Sequence, residues 1–368
     1  MVRIPRRELE GLVSRIFQVL GIPREEADDS ARILTAADAR GIPSHGLGRI
    51  NRYARGIRAG LIRGNVEPTV LRETPLSRVL DAEGGMGLSL SRKSMEWVIA
   101  TARERGVGVC SIRNSNHFGI AGYYTEMAAR QDMIGIAMTN TAALGVPTFA
   151  RDAAFGTNPI AFAAPGLDGR LFSLDMATTT VTRGHVEICE REGRKIPPGW
   201  AVGKDGRSTD DPVSLLEDML YLRGGGLLPL GGEGAASGGY KGYGLAVMVD
   251  ILTALGSGGT YGTAVRDSAI TSARVCHFFM ALRIDIFREP EDFKRDMTDM
   301  LDKLSALPPA EGAERVYYAG QKSREAEERS NALGVLLSDA VWEDIRSAAR
   351  ELRVPVPEFP RIEGSPNV

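Results

Sequence analysis

Residues 106–141 read GVGVCSIRNSNHFGIAGYYTEMAARQDMIGIAMTNT and set the fold class expected for the chain. Two short apolar runs, GVGVCSI and MIGIAMTN, flank a segment of helical composition, AGYYTEMAARQD. Alternation of strand-like and helix-like segments is typical of α/β proteins. The first strand runs into the polar cluster RNSNHFG, so its carboxyl end is expected to deliver side chains into a cleft.

The sequence on either side extends this pattern. Helical periodicity predicts two helices within residues 6–39 and further helices over 90–105, 242–256, 290–306 and 338–353. The run VCHFFMAL at 275–282 predicts a buried strand. The stretch after FSLDMA (172–177) reads as a loop, and residues 308–333 show no recognisable pattern; the loop carries Gly184, Gly193, Pro197, Pro198 and Gly199.

Composition limits the classes of protein that fit. The 368 residues exceed what one core usually serves, so two structural units are expected. A net charge of -2, from 45 basic and 47 acidic residues, argues against a nucleic-acid partner. The charged N-terminus lacks the apolar core of a signal peptide, and no run is long and apolar enough to span a membrane. We therefore predict a cytoplasmic protein without a membrane partner.

His117 is the candidate for acid–base chemistry, because it follows an apolar strand among the small polar residues Asn114, Ser115 and Asn116. An imidazole at such a position can take a hydroxyl proton as a hydride leaves the neighbouring carbon, and can return that proton in reduction. The alternative is an ordinary loop histidine bonded to a neighbour.

Ser44, His45 and Arg49 form a second candidate group in IPSHGLGR. On a helix beginning at Ser44, the imidazole and the guanidinium would share one face, with Ser44 as the N-cap. A guanidinium is the usual partner of a carboxylate, because two parallel hydrogen bonds fix the orientation of the acid. The alternative is a capped surface helix with an exposed arginine.

Other kinds of site are poorly supported. Cys110, Cys189 and Cys276 lie far apart, so we expect reduced, buried cysteines and neither disulfides nor a zinc site. His277 reads as a core histidine, and His185 fits no single role. The chain has no HExxH, GxSxG, P-loop or GxGxxG motif.

A glycine-rich segment is the best candidate for holding phosphate. GGEGAASGGYKGYG spans Gly231 to Gly244 and leads through Lys241 into the long apolar helix. Free backbone N–H groups, a helix N-terminus and an ammonium would meet there, which suits an anion. The alternative is a flexible loop.

Taken in order, several words of the sequence resemble the malate/L-lactate (type 2) dehydrogenases. They include RGIPSHGLGRINRY, RNSNHFGIAGYY, GTNPIAFAAPG, LDMATTTVTRG, GGYKGYGL and VCHFFMA. The resemblance runs from about Arg3 to Phe287. It implies a hydride transfer between NAD or NADP and a small 2-hydroxy or 2-oxo acid, such as malate or lactate. Sulfolactate and ureidoglycolate dehydrogenases also belong to the family.

The resemblance also implies an architecture and a set of functional residues. It predicts a mixed-sheet, non-Rossmann nicotinamide-binding domain (76–289) and an α-helical domain built from both chain ends (1–75 with 290–368), in a homodimer. The catalytic histidine falls on His117. Substrate-side residues fall on Ser44, His45, Arg49, Tyr53 and Asn158, and cofactor contacts on Thr141, Asp175, Met176, Ala177, His185 and Lys241; no metal is implied.

Two departures from the family pattern concern the cofactor. His185 stands where relatives commonly carry lysine, which leaves the choice between NAD and NADP open. LGVPTFARDAA (144–154) lacks the glycine pair usual before FGTNP. Two other functions stay open at this point: reduction of a 2-oxo or cyclic imino acid, and metabolite binding without catalysis.

Overall fold

The fold is described from a computed structural model that covers residues 1–266 and 273–359. The last nine residues of the predicted helical domain lie outside this range. Helices lie at Arg6–Val19 (α1), Arg24–Ala39 (α2), Ile50–Arg58 (α3), Gly87–Arg105 (α4), Ala121–Ala129 (α5), Arg183–Arg191 (α6), Pro212–Leu220 (α7), Gly239–Asp250 (α8), Pro290–Ser305 (α9), Gln321–Leu333 (α10) and Asp339–Glu351 (α11). Strands lie at Val2–Ile4 (β1), Thr69–Glu73 (β2), Ser77–Asp81 (β3), Val107–Ser115 (β4), Met133–Thr139 (β5), Ile160–Pro165 (β6), Leu171–Met176 (β7), Ala201–Val202 (β8), Gly226–Leu227 (β9), Val275–Arg283 (β10) and Val335–Leu337 (β11).

A mixed seven-stranded sheet forms the centre of the molecule, in the order β2-β3-β4-β10-β5-β6-β7. β3 and β4 pair in parallel, and the other neighbours are antiparallel. β10, the predicted buried strand, lies between the two strands of the 106–141 stretch. The α/β mixed-sheet fold class is confirmed.

The two ends of the chain meet in space. β1 pairs with β11, with Val2 opposite Leu337. Arg40, which follows α2, donates from Nε to Glu327 on α10 at 3.0 Å and from Nη2 to Glu126 on α5 at 2.8 Å. These contacts connect α10 to the end of α2 and to α5. The exact division into two domains stays a prediction, since α9 packs against the turn after β6.

The principal core is continuous between the helices at the chain ends and the sheet, from Leu9 on α1 to Phe279 on β10. A smaller core is built from the segment between β7 and α8. It joins α6, α7, β8 and β9 through Val186, Leu215 and Leu227. α6 therefore packs on this smaller core and not on the principal core.

The predicted helices at 6–39, 90–105, 290–306 and 338–353 are confirmed, and so is the long apolar helix, which α8 begins and a wider turn at Ile251–Leu255 continues. The loop predicted around Gly184 is wrong, because α6 occupies residues 183–191 with Val186 and Cys189 buried. The segment at 308–333, which showed no pattern, contains α10. No helix within residues 1–266 and 273–359 is long and apolar enough to cross a membrane.

Candidate active site

The segment from Ser44 to Tyr53 folds differently from the predicted helix. Two single 3-10 turns, at Pro43–His45 and Leu47–Arg49, precede α3, and Ser44 caps no helix. The prediction of a helix beginning at Ser44 is therefore wrong. Arg49 still meets Ser44, because its Nε donates to the Ser44 carbonyl at 2.5 Å, and the Ser44 hydroxyl lies 2.9 Å from His45 Nδ1.

Asp38 at the end of α2 explains this local fold. Its carboxylate accepts the backbone N–H of Leu47 at 2.7 Å and interrupts helical hydrogen bonding there. A Cβ on Gly46 would lie only 2.2 Å from Asp38 Oδ2, so glycine is required at this close approach. Burial raises the pKa of Asp38 to about 7, and the Leu47 N–H opposes that rise.

His117 lies two residues beyond the end of β4 and faces the Ser44–Tyr53 segment. Tyr53 Oη is 2.6 Å from His117 Nδ1, and the His45 and His117 rings stack with their centroids 5.6 Å apart. Asn116 anchors the loop by donating from Nδ2 to the carbonyls of Gly84 and Gly85 at 2.8 and 3.0 Å. The structure thus brings Ser44, His45, Arg49, Tyr53 and His117 together.

The hydrogen bonds around Tyr53 are compatible with a His117 tautomer that carries its proton on Nδ1. The Tyr53 hydroxyl also lies 3.4 Å from the His117 carbonyl, an acceptor for its own proton. The hydroxyl can then accept Nδ1–H, which leaves the Nε2 lone pair free as a base. The Gly119 N–H also lies 3.4 Å from Nδ1, and this contact is lost in that tautomer. Tyr53 is buried, and burial raises its pKa, so its hydroxyl stays protonated.

His117 and His45 are half-buried: protein surrounds both rings, yet both residues keep some accessible surface. Burial lowers the pKa of His117 well below its usual range, and the nearby charge of Arg49 lowers it further. Burial and Arg49 likewise lower the pKa of His45 to about 4. Both imidazoles are therefore neutral at pH 7, and Arg49 supplies the positive charge of this group.

The predicted cofactor residue Asp175 lies beside the same loop. Its Oδ2 accepts the backbone N–H of Gly122 at 2.7 Å, in the first turn of α5, five residues after His117. Asp175 is exposed to solvent, although much of its carboxylate is surrounded by protein. This enclosure raises the pKa of Asp175 to about 6, and the Gly122 N–H opposes the rise. Met176 and Ala177 follow, half-buried, at the end of β7.

Thr141 and Asn158 form a linked pair beyond the ends of β5 and β6. Asn158 Oδ1 accepts the Thr141 N–H at 3.2 Å, and Asn158 Nδ2 donates to the Ala246 carbonyl on α8 at 3.0 Å. The Asn158 side chain is fully buried, so the structure gives it a part in holding Thr141 and α8. Thr141 is half-buried. Direct contact of Asn158 with substrate stays a prediction.

The glycine-rich segment leads into α8 as predicted. Gly238, with φ of 86°, turns the chain into the helix, and Lys241 lies exposed in its first turn. Leu230 connects this turn to β7, because its N–H donates to Thr178 at 2.8 Å and its carbonyl accepts from Gly242 at 3.2 Å. The start of α8 therefore lies next to the chain that leaves Asp175.

α6 carries His185, a predicted cofactor residue, and Glu187, which the sequence did not single out. His185 is exposed on its first turn, with Nδ1 3.0 Å from Thr182 Oγ1 and its ring edge-on to Trp200. Glu187, two residues on, is close enough for its charge to raise the pKa of Arg49 against the larger lowering by burial. A short helix with only two buried residues gives little periodic signal, so neither α6 nor the position of Glu187 near Arg49 was predicted.

The cysteines and the acidic residues show no other centre in the described ranges. Cys110, Cys189 and Cys276 are free and buried, as predicted. Residues 1–266 and 273–359 hold no cluster of three or more His, Cys, Asp or Glu side chains that could bind a metal ion.

Comparison with known proteins decides the family. A profile described as malate/L-lactate dehydrogenase matches residues 4–346. The chain belongs to the malate/L-lactate dehydrogenase family. It is 42% identical to a malate dehydrogenase of Pyrococcus abyssi over 96% of both chains. It is also 36% identical to an L-sulfolactate dehydrogenase of Methanocaldococcus jannaschii, over 98% of this chain and 99% of the relative.

A solved structure supports the same assignment. The crystal structure of a malate dehydrogenase from Entamoeba histolytica superposes with a TM-score of 0.92 at 31% identity, over 97% of this chain and 99% of the other. The resemblance found in the sequence is confirmed. As a malate/L-lactate dehydrogenase family member, the protein is an oxidoreductase.

Proposed function

We propose that this oxidoreductase transfers a hydride between NAD or NADP and a small 2-hydroxy or 2-oxo acid of the malate or lactate kind. The observation that carries the proposal is the convergence of Arg49, His45 and Tyr53 on the half-buried His117. A guanidinium, two neutral imidazoles and a buried tyrosine are the groups that an acid with an adjacent hydroxyl requires.

Arg49 binds the substrate carboxylate in this proposal. Its Nε is held by the Ser44 carbonyl, so its two terminal nitrogens point to a fixed position. A carboxylate bound there brings the adjacent carbon and its hydroxyl toward the imidazoles. Ser44 and His45 donate hydrogen bonds to the substrate oxygens and stabilise negative charge that develops on the reacting oxygen.

His117 moves the proton. In oxidation the hydroxyl proton of the acid passes to His117 Nε2, while the hydride leaves the carbon that bears this hydroxyl group. In reduction the imidazolium returns the proton to the carbonyl oxygen. Tyr53 holds Nδ1 and so keeps Nε2 directed at the substrate. When bound, a nicotinamide cofactor accepts or supplies the hydride.

The residues around Asp175 fit a dinucleotide. Exposed Lys241 in the first turn of α8 combines an ammonium with a helix N-terminus, which suits a pyrophosphate. The Asp175 carboxylate can accept hydrogen bonds from hydroxyl or carboxamide groups. We propose that Thr141, Asp175, Met176, Ala177, His185 and Lys241 hold NAD or NADP.

A homodimer and a cytoplasmic location complete the proposal. An apolar row is exposed on the outer face of α8 and of the turn after it, formed by Val247, Ile251 and Leu255. A second copy of the chain would cover this row. The molar mass in solution tests the homodimer.

A panel assay tests the proposed function. We expect absorbance changes of the nicotinamide with malate, lactate or sulfolactate in the presence of NAD or NADP, and with the matching 2-oxo acids in reverse. Comparison of the two cofactors reports the preference that His185 leaves open. Turnover of a cyclic imino acid alone, with none of the hydroxy acids, would contradict the proposal.

The pH dependence follows from the lowered pKa of His117. Because the base form prevails at neutral pH, the acid limb of oxidative kcat/KM is expected below pH 6.5. Reductive kcat/KM needs the imidazolium, so it is expected to rise as the pH falls from 8 to about 6. Rate profiles in both directions at constant ionic strength check this. An oxidative acid limb above pH 7 would be incompatible with the surroundings of His117 described here.

A further inference from the structure

His277 is a buried histidine that the proposed mechanism does not use. It lies on β10, between β4 and β5, and has no accessible surface. Its Nε2 is 2.9 Å from Ser115 Oγ on β4, and its Nδ1 is 2.8 Å from Thr139 Oγ1 on β5. One buried ring therefore bridges the ends of two strands that have no direct hydrogen bonds with each other.

Each hydrogen-bond partner of His277 lies two residues before a proposed functional residue. Ser115 lies two residues before His117, and Thr139 lies two residues before Thr141. One side of the His277 ring thus holds the strand end that carries the acid–base histidine. The other side holds the strand end that carries a proposed cofactor residue.

Stacking adds a third connection to His117. The Phe118 ring lies parallel to the His277 ring, with an interplanar angle of 2° and 4.5 Å between centroids. Phe118 follows His117 directly, so the plane of the His277 ring also fixes where the His117 backbone can lie.

The hydrogen bonds favour a neutral form of His277 that carries its proton on Nδ1. Thr139 Oγ1 donates to the Cys276 carbonyl at 3.0 Å, so it accepts Nδ1–H from the ring. The Nε2 lone pair then accepts the Ser115 hydroxyl proton. Burial lowers the pKa of His277 to about 3, which keeps the ring in this neutral form at physiological pH.

We propose that His277 is a positioning residue that sets His117 and Thr141 relative to each other by bridging Ser115 and Thr139. The inference rests on the proposed function, because it assigns His117 to proton transfer and Thr141 to the cofactor. A histidine that served only packing would need neither hydrogen bond, and an apolar ring of its size would do.

Two substitutions separate the two halves of the bridge. In His277→Asn the amide nitrogen takes the place of Nδ1, which keeps Thr139 and loses Ser115. In His277→Gln the amide oxygen takes the place of Nε2 and accepts the Ser115 hydroxyl proton, which keeps Ser115 and loses Thr139. We expect His277→Asn to lower kcat about five- to tenfold with the cofactor Kd within about twofold. We expect His277→Gln to raise the cofactor Kd about five- to tenfold with kcat nearly unchanged.

Phe279→Leu is the matched control. Phe279 lies two residues further along β10, is fully buried and packs against the same Phe118 ring at 6.2 Å between centroids, but its ring cannot form the bridge. We expect a lower Tm in this variant without either split effect. Ser115→Ala and Thr139→Val repeat the test from the partner side, should a His277 variant fail to fold; we expect kcat to fall in the first and cofactor Kd to rise in the second.

Equal changes of kcat and Kd in both His277 variants and in Phe279→Leu, in step with Tm, would overturn the proposal. Unchanged kcat and Kd in all of them would also overturn it. Turnover of the wild-type enzyme in the acid panel distinguishes failure of the His277 bridge from failure of the proposed function. An active wild type with unsplit variants rejects only the bridge, whereas an inactive wild type rejects the proposed function itself.

Discussion

Replacing His117 by alanine is expected to lower kcat for a 2-hydroxy acid by about 100-fold or more. The variant loses the group that takes the hydroxyl proton, while the residues near Asp175 and Lys241 keep their places. Cofactor Kd is therefore expected to stay within about twofold of wild type. Steady-state kinetics and a fluorescence titration with the reduced cofactor measure the two quantities.

Chemical rescue sharpens this test. His117 keeps some accessible surface, so added imidazole is expected to enter the space left by its side chain and restore part of the rate in His117→Ala. Because rescue requires a base at that position, a merely structural role for His117 would give none. Turnover near that of wild type in the unrescued variant would remove His117 from proton transfer.

Replacing Arg49 by lysine is expected to raise KM about tenfold to a hundredfold for substrates that carry the carboxylate. Lysine keeps the positive charge but cannot form two parallel hydrogen bonds, and its ammonium cannot retain the same contact with the Ser44 carbonyl. KM is measured for a hydroxy acid and for its carboxamide analogue, which lacks the anionic group.

Arg55→Lys is the matched control, because it makes the same substitution at an exposed position of α3, two residues beyond Tyr53. This variant is expected to leave KM unchanged. An equal rise of KM for acid and carboxamide in Arg49→Lys would show that Arg49 does not bind the carboxylate.

The parts of the fold that sequence reasoning predicted are those with a strong local pattern. β10 and α8 carry long apolar runs, and α1 and α2 carry a regular buried stripe. α10 does not: of its thirteen residues only Ser330 is buried, and ion pairs such as Glu327 with Arg40 hold it in place. Pairing of β1 with β11 joins the two chain ends, a contact that no local pattern shows.

The site was predictable in its chemistry but not in its geometry. Polar residues after a strand pointed to His117, and the carboxylate-binding type of side chain pointed to Arg49. The hydrogen bond between Tyr53 and His117 Nδ1 joins residues 64 positions apart, so only the folded chain shows that Tyr53 holds the imidazole. The two 3-10 turns around His45 depend on Asp38 and Gly46, whose close packing overrides the helical spacing.

The most direct measurement is a crystal structure of the enzyme with reduced cofactor and oxamate, an unreactive analogue of a 2-oxo acid. The account predicts that Arg49 binds the carboxylate of oxamate and that His117 Nε2 lies about 2.6–3.2 Å from its carbonyl oxygen. A bound acid out of reach of His117, or a His117 ring turned away from the cleft, would contradict it.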